Sequence, residues 1–242
     1  MLGARSRTTI LLFGAAVVAW AVTVERMRGM DGGPGTDLGG LGWYLGVWVT
    51  MTAAMMLPSA APAAPLVARL SRGLPTLLFA AGYLAAWTVY GLVAYGLFRV
   101  VTSFDTGWLA WDRGGPYVAG GVIVAAGAYE LTPMKELLLR RCRRPFSRGK
   151  ADALRSGLAN GLSCVGCCFG LMAVFFALGV MSILWMAVVA GVIFAEKVLS
   201  HVRLSRVVAV ALVALGIWMA ASPSSVPGLT QPDASPSMEM SP

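Results

Sequence analysis

The sequence predicts an all-α fold, a polytopic bundle of about seven transmembrane helices, and three observations carry that expectation. Only 12% of the 242 residues are charged, about half the share in a soluble domain. Mean hydropathy is +0.73, concentrated in long uncharged runs. No ten-residue stretch alternates apolar with polar residues as a membrane β-barrel requires. The 29 Gly and 13 Pro fit the same class, because in lipid Gly permits close helix approach and neighbouring helices satisfy backbone groups that Pro frees.

Apolar segments run over roughly 8–24, 42–68, 75–98, 116–134, 156–180, 183–199 and 204–221. Each approaches or exceeds the roughly 17–25 residues that cross a bilayer. The first has no small-residue cleavage site before Glu25, which favours an uncleaved helix over a signal peptide. The second carries Pro58, Pro62 and Pro65 and should be kinked or broken. Between the fifth and sixth, "GVMSI" (179–183) reads as a tight hairpin. Residues 1–221 thus form one helical membrane domain. The Pro- and Ser-rich residues 222–242 read as a disordered extracytoplasmic tail, whose Met238 and Met240 are soft but isolated.

Basic residues set the orientation. The 135–155 loop holds Lys135, Arg140, Arg141, Arg143, Arg144, Arg148, Lys150 and Arg155, and the positive-inside rule makes it cytoplasmic. With seven spans, Arg5, Arg7, Arg69, Arg72, Lys197, Arg203 and Arg206 join it, which leaves Arg26, Arg28, Arg99 and Arg113 outside. The amino terminus is therefore in and the carboxyl terminus out, as for a multi-pass protein of a bacterial cytoplasmic membrane. The net charge of +8 reports this topology. The basic loop lacks aromatic interleaving or any DNA-reading motif, so its expected partner is anionic lipid headgroup and not nucleic acid.

Topology brings unusual residues to one depth. On the fifth span, Cys164, Cys168 and Met172 are spaced four apart and form a sulfur stripe with Cys167 on its flank. The second span brings Met51, Met55 and Met56, the fourth Glu130, and the sixth Met186, Glu196 and Lys197. Carboxylates inside a bilayer are costly and are functional candidates by default. Glu196 and Lys197, being adjacent, point about 100° apart; they either face the bundle interior or snorkel at its boundary.

The cysteines admit two readings. Two or three thiolates with a thioether suit Cu(I). Zinc prefers four ligands, and the single histidine, His201, lies in a short loop. A disulfide framework is disfavoured because the cysteines map to the reducing side. Against metal stands packing: Cys is a small hydrophobe, and Gly161, Gly166 and Gly170 around it suit close helix contact.

"VTMTAAMMLPSAAP" (49–62), "YELTPMKELLLRRCRRP" (129–145), "SCVGCCFGLM" (163–172) and "GVMSILWMAVVAGVIFAEK" (179–197) follow one another in order. Together, over about residues 42–200, they resemble the bacterial integral membrane proteins of domain of unknown function 2182, described as metal-binding and sometimes labelled copper chaperones. The resemblance implies a multi-helix membrane protein connected with copper. By motif it offers Met55, Met56 and Pro58; Glu130, Thr132, Pro133 and Lys135; Cys164, Cys167, Cys168 and Met172; and Met181, Trp185, Met186, Glu196 and Lys197. Relatives often carry Cys-x-x-x-Cys in the second block. Here Leu138 stands in the first cysteine position, leaving Cys142 alone and outside the expected ligand set.

The leading expectation is a Cu(I)-binding membrane protein that hands copper to an accepting protein. Its expected metal ligands are Cys164, Cys167, Cys168, Met172, Met55 and Met56, with Glu130, Glu196 and Lys197 as proton or supporting groups. A solute transporter or channel is the first alternative, supported by the Pro-broken second segment but not by any visible inverted repeat. An assembly subunit in which the cysteines only pack is the second. No Ser–His, His-Glu-x-x-His or paired-Asp constellation is present, so no enzymatic role is expected.

Overall fold

A computed structural model describes residues 4–28, 38–59, 74–103, 114–143, 152–179, 182–199 and 202–226. Within them the chain forms α1 (Ala4–Met27), α2 (Leu41–Ser59), α3 (Leu74–Ser103), α4 (Gly115–Glu130), α5 (Pro133–Arg143), α6 (Ala153–Leu178), α7 (Ile183–Val198) and α8 (Val202–Ala221), with no strand among the described residues. Within the described residues, each predicted apolar segment falls on a helix, the second as far as Ser59. Four helices, α2, α3, α6 and α8, contain described stretches long and apolar enough to cross a membrane. The class is all-α and compatible with a multi-pass membrane protein.

The surface supports that class. Val17, Leu77, Val210 and Ile217 are at least 60% exposed, whereas Glu130, Lys135, Glu196 and Lys197 are buried. A water-soluble protein would show the reverse, since apolar side chains on the outside suit lipid and buried charges require partners inside.

α6 sits at the centre, packed against α3, α4, α5 and α7; α8 packs on α4, and α2 on α1, α3 and α7. Glycine sets the closest approaches. A Cβ on Gly157 would collide with the Phe79 backbone, and one on Gly161 would lie 2.8 Å from the Tyr83 carbonyl oxygen, so α3 and α6 touch backbone to backbone. Gly120 and Gly216 do the same for α4 and α8. Gly161, Gly166 and Gly170 are thus packing glycines, as their spacing implied.

Two boundaries depart from the sequence reading. The segment expected over 116–134 ends at Glu130, and the basic stretch read as a loop begins with a separate helix, α5. Pro133 occupies the first position of α5, where a missing N–H costs nothing. The Thr132 hydroxyl accepts from the Lys135 N–H at 3.3 Å and acts as N-cap, Glu136 lies in the first turn, and Arg140, Arg141 and Arg143 lie in the last. The buried face of this short helix presents Lys135, Leu139 and Cys142.

At the expected hairpin between α6 and α7, the Ser182 N–H donates to the Gly179 carbonyl at 3.2 Å. Gly179 has φ +109°, which disfavours side chains, and Ser182 caps α7 by accepting from the Trp185 N–H. α2 keeps Pro58 in its last turn. Pro62, Pro65, Met181, His201 and residues 227–242, with Met238 and Met240, lie outside the described residues. Residues 223–225, assigned above to the tail, form a 3-10 turn hydrogen-bonded to α8, the Trp218 indole donating to Ser225 Oγ at 2.7 Å.

Candidate metal centre

α5 and α6 together build a sulfur cluster. The Sγ atoms of Cys142, Cys164 and Cys167 all lie within 4.8 Å of one another, and all three side chains are buried. Cys168 joins through its Sγ, 3.6 Å from that of Cys167. Cys142, outside the expected ligand set, thus lies together with Cys164 and Cys167. Although Leu138 takes the place of a second cysteine on α5, the helix still turns Cys142 towards α6. Leu138 lies on the same side, seated over Gly166 where a Cβ would meet its Cδ1. The cue was present in sequence: the Thr-Pro start and the three- and four-residue spacing of Lys135, Leu139 and Cys142 mark a helix with one inward face.

The grouping on α6 also differs from the expected stripe. Cys164 and Cys167, three apart, meet Cys142; the Cys167 thiol donates to the Cys164 carbonyl at 3.2 Å. Met172 and Met55 are completely buried in the same core, but neither is hydrogen-bonded to the cluster. Met56 reaches its edge, with Sδ 3.9 Å from Lys197 Nζ.

Polar groups surround Cys164. The Lys197 ammonium donates to its Sγ at 3.0 Å and to Ser59 Oγ at 2.9 Å. The Tyr83 hydroxyl shares a 2.9 Å hydrogen bond with the same sulfur. The ammonium places a positive charge directly on this sulfur. On α5, the hydrogen bond with Cys164 pushes the Cys142 thiol up to about 12, with Cys167 opposing and burial adding to it.

Glu196 points the other way along α7, as adjacent helical residues must. It accepts both contacts from Lys135 Nζ at 2.7 Å, and Lys135 also pairs with Glu130. Arg143 donates to the Glu196 backbone carbonyl. Glu196 and Lys197 are therefore interior groups: one ties α7 to α5, the other ties α7 to the sulfurs and to α2. Lys135, carried only as part of a motif in the sequence reading, joins the two carboxylates.

The donor set fits a soft ion. A metal about 2.3 Å from three coplanar sulfurs sets them about 4 Å apart, which this triple reaches with little movement. A family model describing copper chaperones, PpoB2, matches residues 45–219. The chain belongs to the PpoB2 copper chaperone family. The match includes Met55, Met56, Tyr83, Glu130, Lys135, all four cysteines and Lys197, and extends beyond the resemblance to cover most of α8. Among curated proteins and solved structures, no match is found. For this PpoB2 member, then, the thiol triple lies within the matched region, and all three of its side chains are buried.

Proposed function

We propose that the chain binds Cu(I) inside the membrane through Cys142, Cys164 and Cys167 and passes it to a copper-accepting protein. The observation that carries this reading is the buried thiol triple with an ammonium on one of its sulfurs. Charge favours a monovalent ion: Cu(I) with two thiolates carries −1, which Lys197 balances, while the third sulfur binds without adding a second buried charge. Two- and three-coordinate thiolate copper exchanges readily, as delivery demands. Cys168 beside Cys167 supplies an alternate ligand during exchange, and Met56, Met55 and Met172 supply thioethers nearby. Glu130 and Glu196 hold Lys135 and accept protons that metal binding releases.

On this reading the chain is a carrier and not an enzyme. It lies in a bacterial cytoplasmic membrane with seven crossings, amino terminus in, its basic 135–155 region against anionic headgroups. The test is copper content per protein after anaerobic loading in detergent, comparing the wild type with a Cys142→Ser, Cys164→Ser, Cys167→Ser triple. Near-stoichiometric copper lost in the triple is the expected result. Equal, low copper in both would make the cysteines packing residues.

A further inference from the structure

Two openings away from the sulfur cluster share one stripe of α8. The first is a cleft of about 260 Å³ between α5 and α8, bordered by Lys135, Arg140, Arg143 and Arg206 and by Glu130 and Glu136. Glu130 pairs with Lys135, and Glu136 with Arg140. Arg143 and Arg206 form no ion pair within 4.0 Å among the described residues, and the buried Nε of Arg143 has no hydrogen-bond partner among them. Glu130 and Glu196 share Lys135, and Glu196 also lies near Arg143, so four basic groups face three carboxylates and Arg206 carries the free positive charge at the cleft rim.

The second opening is an apolar groove of about 440 Å³ between α6, α7 and α8. Its α8 wall runs through Val208, Leu212 and Leu215. Ser205, on the rim of the cleft, precedes Val208 by three and Leu212 by seven, and so stands on the same helix face. Trp185 and Trp218 close the far end, about 18 Å from Arg206 along the helix rise. Val188 and Trp218 are both 46% exposed, so the groove opens sideways to the surroundings of the bundle.

We infer that an anionic phospholipid binds here, its phosphate against Arg143 and Arg206 and one acyl chain in the groove between α6, α7 and α8. Charge and polarity select the class. An arginine fork matches a phosphate oxygen pair, and a fully apolar slot opening sideways in a membrane protein accepts hydrocarbon in preference to water or a polar solute. A soluble anion would use the cleft and leave the groove unused. This is a built site on one edge of the bundle, distinct from general attraction of the basic stretch to the membrane surface. Because Arg143 also donates to the Glu196 carbonyl, the lipid would bear on the junction of α5 and α7 next to the sulfur cluster.

The test is native mass spectrometry of the delipidated full chain, titrated with phosphatidylglycerol or phosphatidylcholine. The wild type should retain phosphatidylglycerol in preference to phosphatidylcholine. Arg143→Gln and Arg206→Gln should each reduce that preference about fivefold, the value of one basic residue near a phosphate. Ala211→Trp with Ala214→Trp, both groove-lining and exposed, should lower retention of both lipids without touching the arginines. Equal retention of the two lipids, or a preference unchanged in the arginine variants, would overturn the proposal. So would full displacement of the lipid by millimolar inorganic phosphate, which would make the cleft a soluble-anion site. Thermal melts of each variant separate lost binding from lost folding.

Discussion

Lys197 Nζ lies 3.0 Å from Cys164 Sγ, joining the end of α7 to the centre of α6 through an ammonium–sulfur contact that is buried on both sides. A hydrogen bond to a charged group contributes about 1.5–3 kcal/mol where water is absent. Lys197→Met keeps most of the side-chain volume and removes the charge. It is expected to weaken Cu(I) binding about ten- to a hundredfold, read by competition with a chromophoric Cu(I) chelator. Ser59→Ala, which removes the ammonium's oxygen partner, should change affinity only a fewfold. An unchanged affinity in Lys197→Met would reduce the lysine to a link between helices.

The four cysteines should not be equivalent. Cys142, Cys164 and Cys167 meet as a triple, whereas Cys168 lies beside it, its Sγ 3.6 Å from that of Cys167. Cys142→Ser is expected to lower the sulfur coordination number seen by X-ray absorption from three to two and to weaken retention. Cys168→Ser should leave the number at three and slow transfer to a chelator. The opposite ranking would restore the α6 stripe of Cys164, Cys168 and Met172 as the binding surface.

Lys135 lies between Glu130 and Glu196, and all three are buried. Removing one member of such a group leaves an uncompensated charge and costs about 3–5 kcal/mol. Lys135→Met should therefore lower the melting temperature sharply in detergent. Adding Glu130→Gln and Glu196→Gln to it should recover much of the loss, because neutral groups replace the stranded carboxylates. A single variant as stable as the wild type would mean that water reaches these carboxylates and solvates them.

The helices were legible in the sequence because each is a continuous apolar run, and in lipid a spanning backbone has to satisfy its own hydrogen bonds. Gly161, Gly166 and Gly170 were legible too, since only small residues allow backbone contact. α5 was not, because eleven residues with five basic or acidic side chains resemble a solvated loop to a hydropathy reading. Its cap, its Pro and its inward face at Lys135, Leu139 and Cys142 needed helical periodicity to be noticed. Without α5, Cys142 had no direction and Lys135 no partners. Tyr83 escaped for a different reason: an aromatic hydroxyl within an apolar run carries no motif, and only the close approach of α3 to α6 puts it on Cys164.

That close approach yields the last expectation. Gly157 and Gly161 bring α3 against α6, and Tyr83 reaches Cys164 only because both positions lack a Cβ. Gly157→Ala would drive a methyl group into the Phe79 backbone, which has no side-chain torsion with which to yield. The helices must separate, at a cost of roughly 1–3 kcal/mol for overpacking. Tyr83 should then lose its 2.9 Å contact, so copper affinity should fall together with stability. Gly121→Ala on α4 meets nothing within 4 Å and should be neutral or slightly stabilising through helix propensity alone. Tyr83→Phe separates the two effects: it should leave packing intact and cost about 1 kcal/mol, the value of one hydrogen bond. Thermal melts and copper competition on the three variants check this. If Gly157→Ala lowered stability and left affinity untouched, the α3 contact would support the fold without shaping the metal centre.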